Sequence, residues 1–225
     1  MSRKRKKKKD LFLKRVIFTV LTIVVLLVAA DRILAFLHVY EPEVEVEAVY
    51  YDPEETARIA AEQLRAQREA FIEELSSYAV EIGQENDVLP SLILAQAALE
   101  SNFGTSLLAS QYFNLFGVKS FGATPFVTME TYEFIDGEWQ TYDAEFRVYD
   151  SWRSSMLGLV TLFRNGVTWD PTLYHGVFAA RNYEEAARAV QAAGYATDPY
   201  YADSLIALIR EFNLNRYDTS VSFIP

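Results

Sequence analysis

An almost entirely apolar helix with one carboxylate near its end constrains this chain more than any other feature. Residues 92–104 read LILAQAALESNFG, and Glu100 is the only charged residue among them. Asp87 is expected to cap this helix, Pro90 suits its first turn, and Gly104 is expected to end it. A helix that is apolar on most sides must be covered on most sides. The sequence therefore predicts that this helix is buried on most sides.

Glu100 is predicted to lie where two effects disfavour its anion. Burial and the negative C-terminal end of the helix dipole both raise the pKa of a carboxyl group. A carboxyl group with a raised pKa can donate a proton near neutral pH, as a general acid does. The helix alone leaves a second interpretation open, in which Glu100 is a structural carboxylate that pairs with an arginine or reaches solvent.

Charge divides the chain into a basic N-terminal tail and an acidic remainder. Residues 1–15 hold nine Lys and Arg and one acid, so their net charge is +8. Residues 31–225 hold 12 basic and 30 acidic residues, which gives a net charge of −18. Because a phosphate backbone is bound by basic surfaces, the acidic part is not expected to bind nucleic acid.

An uncharged segment after the basic tail predicts an exported protein. Residues 16–30 carry no charge, and the wider stretch from 11 to 37 is long enough to span a bilayer. We expect an uncleaved, single-pass transmembrane signal-anchor at residues 16–37, with the basic tail, residues 1–15, in the cytoplasm. The alternative is a signal peptide that is cleaved after the small residues 28–30. Both interpretations place the rest of the chain outside the membrane.

The exported part divides into a stalk, a domain and a short tail. Residues 38–81 are predicted to form an extracellular stalk and helix, because acidic residues repel one another at 41–47 and an apolar helical pattern begins near residue 53. The pattern leaves open whether this helix packs on the domain or acts as a spacer. Residues 82–216 are the predicted domain, and residues 217–225 are a C-terminal tail.

Within the domain, one β-hairpin is expected among helices. Residues 126–149 are rich in Thr, Val, Tyr, Phe and Trp around Asp136-Gly137, which predicts two strands and a tight turn. A two-residue turn would pair Glu133 with Gln140 and Glu130 with Asp143. Three later helices are expected to start at Ser151, Asn182 and Asp198-Pro199.

Five stretches of the sequence together resemble a known family. They are AQAALESNFGTS, FNLFGVK, TYEFIDGEW, FRVYDS and GYATDPYYADSL, in that order between residues 82 and 213. The chain resembles the glucosaminidase-domain family of bacterial autolysins, glycoside hydrolase family 73. The resemblance implies a mainly α (α+β) fold, with a lysozyme-like helical domain and a small β-hairpin lobe, preceded here by the transmembrane helix and helical stalk. It also implies an endo-β-N-acetylglucosaminidase that hydrolyses the β-1,4 bond after N-acetylglucosamine in peptidoglycan glycan strands.

The resemblance assigns two carboxylates to catalysis. Glu100 matches the family's essential acid, and Glu133 matches the second carboxylate in a Thr-x-Glu pattern. Glu130 is a rival for the second role. Strand alternation places Glu130 and Glu133 on opposite faces, so one of them at most points into the groove. The pairing of Glu130 with Asp143 favours a solvated face, and Glu133 is therefore predicted.

Aromatic and amide side chains are expected to bind the glycan, because flat rings stack on sugars and amides bind N-acetyl and hydroxyl groups. The resemblance implies that Asn114 and Phe116 border the groove and that Tyr195 lies near the scissile bond, with Tyr201 ranked below it. Phe103 stands where the family often has tryptophan and is expected to line the groove wall. Each residue has a plain alternative: Phe116 in the core, Asn114 in a turn, and Tyr195 packed behind a helix.

Two further functions remain open at this point: a lytic transglycosylase, which uses a single acid, and a glycan-binding scaffold without activity. The expected partners are peptidoglycan and, through the N-terminal helix, the cell membrane of a Gram-positive-type cell. A membrane or division partner is not identified by the sequence. No metal site or other cofactor is expected, because the two histidines are far apart and the chain has no cysteine.

Overall fold

The computed structural model describes residues 22, 26–36, 52–120, 122, 125–135 and 138–220, except for the side chains of residues 132–139 and 220. The chain divides into two units, Met1–Asp52 and Pro53–Pro225. In the first unit, residues 26–36 are helical. No helix among the described residues is both long enough and apolar enough to cross a membrane. Residues 16–21, 23–25 and 37 of the predicted anchor, residues 16–37, lie outside the described residues.

The second unit is mainly helical, with one small sheet. In chain order its described elements are α1 (Pro53–Asn86), α2 (Pro90–Ser101), α3 (Leu107–Tyr112), β1 (Phe126–Ile135), β2 (Glu138–Arg147), α4 (Trp152–Asn165), α5 (His175–Ala179), α6 (Tyr183–Ala192), α7 (Tyr201–Glu211) and a 3-10 helix (Leu214–Ser220). The short helices α3 and α5 were not predicted, because six and five residues are too few to show a helical period.

Helix α1 changes character halfway along its 34 residues. Its first 18 residues are almost all exposed, and ion pairs on the helix surface join Arg58 to Glu55 and Glu62, and Arg65 to Glu69. Pairs at this spacing stabilise an isolated helix.

From Phe71 onward, α1 is part of the core. Phe71, Ile72, Leu75, Ala79 and Ile82 are buried along one face, at the i, i+3, i+4 spacing of an amphipathic helix. The predicted start of the domain at residue 82 therefore falls inside α1. Of the two alternatives for this helix, its second half packs on the domain.

Helix α2 is buried on most sides, as its apolar sequence predicted. Every residue from Pro90 to Ala98 is buried. α1, α7 and the 3-10 helix all pack against it. The backbone amide and carbonyl groups that this helix leaves unpaired lie in its first and last turns, where they need partners from elsewhere.

The N-terminus of α2 is capped from the far end of the chain. The prediction that Asp87 caps it was wrong, because Asp87 adopts a left-handed φ of 58° in the turn after α1 and the helix starts at Pro90. The Ser91 amide donates to Asp218 Oδ1 (2.9 Å) and the Ser91 hydroxyl donates to Asp218 Oδ2 (2.7 Å). Asp218, which lies in the predicted C-terminal tail, thus satisfies an otherwise unpaired helix-end amide.

The C-terminus of α2 ends in three successive left-handed residues, Asn102, Phe103 and Gly104, with φ of 49°, 53° and 76°. The helix itself ends at Ser101 with Asn102 as its C-cap, so the predicted stop at Gly104 lies two residues beyond the observed cap. A Cβ atom at Gly104 would lie 2.7 Å from the Phe71 ring. Glycine is therefore required both for the backbone conformation and for the close approach of α1.

The β-hairpin has the predicted register. β1 and β2 pair antiparallel, with Glu133 opposite Gln140 and Glu130 opposite Asp143. The hairpin joins the helical body through backbone bonds from Ser120 to Glu145 and from Arg147 to Val118.

Two of the three predicted helix starts are confirmed by side-chain caps. The Ser151 hydroxyl accepts from the Ser154 amide, and the Asn182 side chain accepts from the Glu185 amide. Asp198 accepts from the Tyr200 amide in the turn that precedes α7. Local sequence signals therefore position these later helices correctly.

We expect Asp218→Ala to lower the free energy of unfolding by about 1–2 kcal/mol, because it removes the cap of the buried α2 helix. Asp218→Asn should lose less than half of that, since its amide oxygen can still accept from the Ser91 amide. Urea denaturation of the full chain measures both values.

Asp203→Ala is the matched control, because its carboxylate is exposed and lies 3.8 Å from Arg188. It should change the free energy of unfolding by less than about 0.5 kcal/mol. Equal losses for Asp218→Ala and Asp203→Ala would contradict a capping role for Asp218.

Candidate active site

Glu100 lies in the last turn of α2, where its half-buried carboxyl group faces the start of α7. Its Oε1 accepts a hydrogen bond of 2.6 Å from the Tyr201 hydroxyl. Burial raises the pKa of the Glu100 carboxyl, and the bond from Tyr201 opposes part of that rise. None of the described arginines forms an ion pair with Glu100. The interpretation of Glu100 as an arginine-paired structural carboxylate therefore finds no support.

Only one of the two carboxyl oxygens of Glu100 is held by a neighbour. Oε1 accepts from Tyr201, whereas no hydrogen bond from the described part of the chain reaches Oε2. A carboxylic acid that is fixed through one oxygen can carry its proton on the other. This arrangement suits proton donation to a bound molecule.

Tyr201 is the first residue of α7 and is only 4% exposed. Its hydroxyl oxygen accepts from Gln96 Nε2 at 3.1 Å while its proton is donated to Glu100. Burial, followed by the nearby carboxylate of Glu100, raises the pKa of Tyr201. Tyr201 is therefore a neutral hydrogen-bond donor that contacts Glu100 directly.

Gln96 is a functional candidate that the sequence did not reveal to us. It lies one turn before Glu100 on α2 and is fully buried. The signal was present, because Gln96 is the only polar residue in the run from Leu92 to Leu99. Its position, four residues before Glu100, places both side chains on one face of the helix.

Tyr195 packs beside Tyr201 in a cluster of aromatic rings. Its ring stacks on that of Tyr201 at 5.7 Å and 22°, and the rings of Phe163 and Tyr174 meet it edge-on at 6.4 Å. Its hydroxyl donates to the Phe116 carbonyl oxygen at 3.2 Å. Burial, followed by the charge of Glu100, raises the pKa of Tyr195 well above its ordinary value. The structure thus brings Glu100, Tyr195 and Tyr201 together.

Asn114 is buried and uses its whole amide group to hold its own loop. Its nitrogen donates to the carbonyl oxygens of Val118 (3.0 Å) and Arg147 (2.8 Å). Its oxygen accepts from the amides of Phe116 (3.3 Å) and Val118 (3.1 Å). These bonds favour the turn role over direct contact with sugar.

Two aromatic candidates lie in packed surroundings. Phe116 is 3% exposed, which favours its core alternative, and it reaches the site only through its carbonyl oxygen. Phe103, expected on the groove wall, packs against Phe212 (5.4 Å) and Phe71 (6.1 Å) beneath the Arg68 guanidinium (4.8 Å). These contacts join Phe103 to α1 and to the end of α7.

The second carboxylate stays a prediction. Glu130 is exposed on β1, opposite the equally exposed Asp143, as a solvated face requires. Glu133 lies three residues further along β1, opposite Gln140, and its side chain lies outside the described residues. Strand alternation places Glu133 on the other face from Glu130.

Comparison with known proteins identifies the family. The family model for glucosaminidase, described as mannosyl-glycoprotein endo-beta-N-acetylglucosaminidase, matches residues 76–214. The chain belongs to the glucosaminidase family. The match covers α2, the hairpin and α7, and therefore every element that carries Glu100 and its neighbours.

Two curated relatives show how much of their length this domain represents. The exo-glucosaminidase LytG of Bacillus subtilis is 43% identical over 152 residues, which are 68% of this chain and 54% of LytG. A probable N-acetylmuramidase of Lactococcus lactis is 36% identical over 156 residues, which are 68% of this chain and 36% of that protein. The chain thus spans about half of one relative and about a third of the other.

A solved relative confirms the fold of the glucosaminidase domain. The catalytic domain of the autolysin Auto from Listeria monocytogenes superposes with a TM-score of 0.64 at 35% identity, covering 75% of this chain and 98% of that one. The prediction of a mainly helical, lysozyme-like domain with a small two-stranded sheet is therefore confirmed.

We expect Tyr201→Phe to raise the pKa of Glu100 further, because it removes a hydrogen bond that stabilises the carboxylate. Titration of ¹³C-labelled glutamate carboxyl groups by NMR, with Glu100→Gln used to assign the resonance, measures this without any substrate. Tyr200→Phe, a change at an exposed neighbouring ring, is the control and should leave the titration unmoved. A Glu100 pKa that falls in Tyr201→Phe would contradict the assignment.

Asn114→Ala is expected to lower the free energy of unfolding by about 2–4 kcal/mol, since it leaves buried amide and carbonyl groups without partners. Gln111→Ala, at an exposed position of α3, is the control and should change little. Thermal unfolding tests whether Asn114 holds its loop, and binding of glycan fragments to the folded protein tests whether it binds sugar. Normal stability combined with lost glycan binding would restore the sugar-binding interpretation of Asn114.

Proposed function

We propose that this domain hydrolyses the β-1,4 bond after N-acetylglucosamine in peptidoglycan glycan strands, with Glu100 as general acid. The observation that carries the proposal is the carboxyl group of Glu100, which is half-buried, has a raised pKa and is held through one oxygen by Tyr201. Membership of the glucosaminidase family and similarity to LytG and Auto support the class of substrate.

In the proposed reaction, Glu100 gives its proton to the oxygen of the leaving sugar as the bond from that oxygen to the anomeric carbon breaks. Positive charge then develops on the anomeric carbon and its ring oxygen. Water adds its hydroxyl group to the anomeric carbon, and a carboxylate accepts the remaining proton. Tyr195 and Tyr201 stay neutral, because their raised pKa values keep their protons in place near neutral pH.

Glu133 is the proposed second carboxylate, and it either activates the water or stabilises the developing positive charge. A carboxyl separation of about 5–5.5 Å is typical of retaining enzymes, and one of about 6.5–9.5 Å is typical of inverting ones. A third route uses the acetamido group of the substrate as nucleophile and leaves Glu133 an orienting role. The anomeric configuration of the first product separates inversion from the other two.

Rival functions differ in the ends that they produce. LytG is named an exo-glucosaminidase and the lactococcal relative a probable N-acetylmuramidase, so similarity alone does not choose the bond or decide between internal and terminal cleavage. A lytic transglycosylase would leave anhydro-muramic ends, and a scaffold would leave none. The Thr-x-Glu pattern at Glu133 favours hydrolysis over the single-acid transglycosylase.

We also propose that the protein is a single-pass membrane protein with its catalytic domain outside a Gram-positive-type cell. The support comes from the sequence, in which a basic tail precedes the uncharged residues 16–30. Attachment would confine cleavage to newly made glycan close to the membrane. Fractionation of cells with an antibody against the domain, followed by protease treatment of intact protoplasts, tests both the attachment and its orientation.

Glu100→Gln is expected to lower turnover by about 100-fold or more, because an amide has no acidic proton to donate. The measurement is mass spectrometry of borohydride-reduced products after the full chain digests purified peptidoglycan. Reduced N-acetylglucosamine ends are expected from the wild type alone. N-acetylmuramic or anhydro-muramic ends, or activity of Glu100→Gln near that of the wild type, would contradict the proposal.

Glu133→Gln should reduce turnover severely and Glu130→Gln only mildly, because strand alternation directs only one of them at the groove. The two changes are chemically identical and lie three positions apart on β1, so each is the control for the other. Initial rates on the same peptidoglycan give the comparison. The reverse order would move the second carboxylate to Glu130.

A further inference from the structure

We propose that Gln96 is a positioning residue, which acts through Tyr201 to keep the tyrosine proton directed at Glu100. This inference rests on the proposed role of Glu100 as general acid. Gln96 does not contact the reacting atoms in this scheme. Its effect on the reaction passes entirely through the Tyr201 hydroxyl.

The three side chains form one directed chain of hydrogen bonds. Gln96 Nε2 donates to the Tyr201 oxygen at 3.1 Å, and that hydroxyl donates to Glu100 Oε1 at 2.6 Å. A phenol has a single proton, which its hydroxyl can direct to either of two neighbours. Because an N–H group approaches Tyr201 from the Gln96 side, the tyrosine proton is directed to the carboxylate.

The orientation of the Gln96 amide decides the direction of the whole chain. With the amide reversed, Oε1 would face Tyr201 and would draw the tyrosine proton away from Glu100. The observed orientation instead leaves Gln96 Oε1 buried, with no hydrogen-bond partner among the described residues. A buried oxygen without a partner is unfavourable, so an apolar residue of equal length would pack there at lower cost. Packing alone therefore does not account for glutamine at this position.

Few other ionisable groups face Glu100 among the described side chains. Tyr201 approaches from α7, and Tyr195 approaches from the loop after α6, with Tyr174 and Tyr149 interacting in turn with Tyr195. All four are neutral phenols near neutral pH. Tyr201 is therefore the group through which a change at Gln96 would alter the acidity of Glu100.

Loss of the Gln96 amide should weaken the bond from Tyr201 to Glu100 without removing either partner. The hydroxyl could then rotate away, and the carboxylate would lose part of its stabilisation. The pKa of Glu100 would rise, so the pH at which the general acid loses its proton would move upward. The basic limb of the pH–rate profile should move with it.

The test compares Gln96→Met, Tyr201→Phe and the double variant in the full chain, with kcat and kcat/KM on solubilised glycan strands measured against pH. Methionine matches the length of glutamine and has no N–H group. We expect Gln96→Met to move the basic limb of kcat/KM to higher pH and to lower kcat about twofold to tenfold. Tyr201→Phe should move the limb at least as far, and the double variant no further than Tyr201→Phe alone.

A structural role for Gln96 would give a different result. Gln96→Met would then lower the Tm and leave the basic limb where it is in the wild type, which overturns the inference. Limb shifts that add in the double variant would overturn it too, because they would show that Gln96 acts independently of Tyr201. Gln96→Leu replaces Gln96→Met if the latter fails to fold.

Glu100→Gln, assayed in parallel, separates this inference from the proposed function. Activity of Glu100→Gln near that of the wild type would refute the general acid itself, whatever Gln96→Met does. An inactive Glu100→Gln together with an unmoved limb in Gln96→Met would refute only the positioning role.

Discussion

The burial of α2 is the constraint on which the rest of this structure depends. A helix whose first nine residues are all buried leaves polar groups a place only at its ends or in internal hydrogen bonds. Asp218 satisfies one end, the left-handed residues from Asn102 to Gly104 terminate the other, and Glu100 lies in the last turn. The carboxyl group is therefore half-buried, with the start of α7 within hydrogen-bond distance.

Side chains from distant parts of the chain give that carboxylate its properties. Tyr201 comes from α7, Tyr195 from the turn after α6, and the carbonyl group that holds Tyr195 comes from Phe116 in a loop fixed by Asn114. The same asparagine bonds to Arg147 at the base of the hairpin. The helical body and the hairpin lobe are thus joined through the loop that supports the aromatic neighbours of Glu100.

Local signals in the sequence were sufficient for most of the fold and for the buried helix that carries Glu100. The apolar run that contains Glu100, the caps at Ser151 and Asn182 and the register of the hairpin each depend on residues close together in the chain, and each is confirmed. The capping of α2 was predicted wrongly because its partner, Asp218, lies 127 residues away from Ser91. The hydrogen bonds of Asn114 and of Gln96 were hidden for the same reason, since both require contacts that only the folded chain brings together.

The exposed half of α1 has a mechanical consequence. Its first 18 residues extend about 27 Å, and surface ion pairs reinforce them. Such pairs are individually weak and are screened by salt. A force applied to the chain at Pro53 would therefore unwind these solvent-exposed turns before it disturbed Phe71 and the core behind it. Residues 53–70 would therefore unfold first under tension, and the geometry around Glu100 would be preserved while they extend.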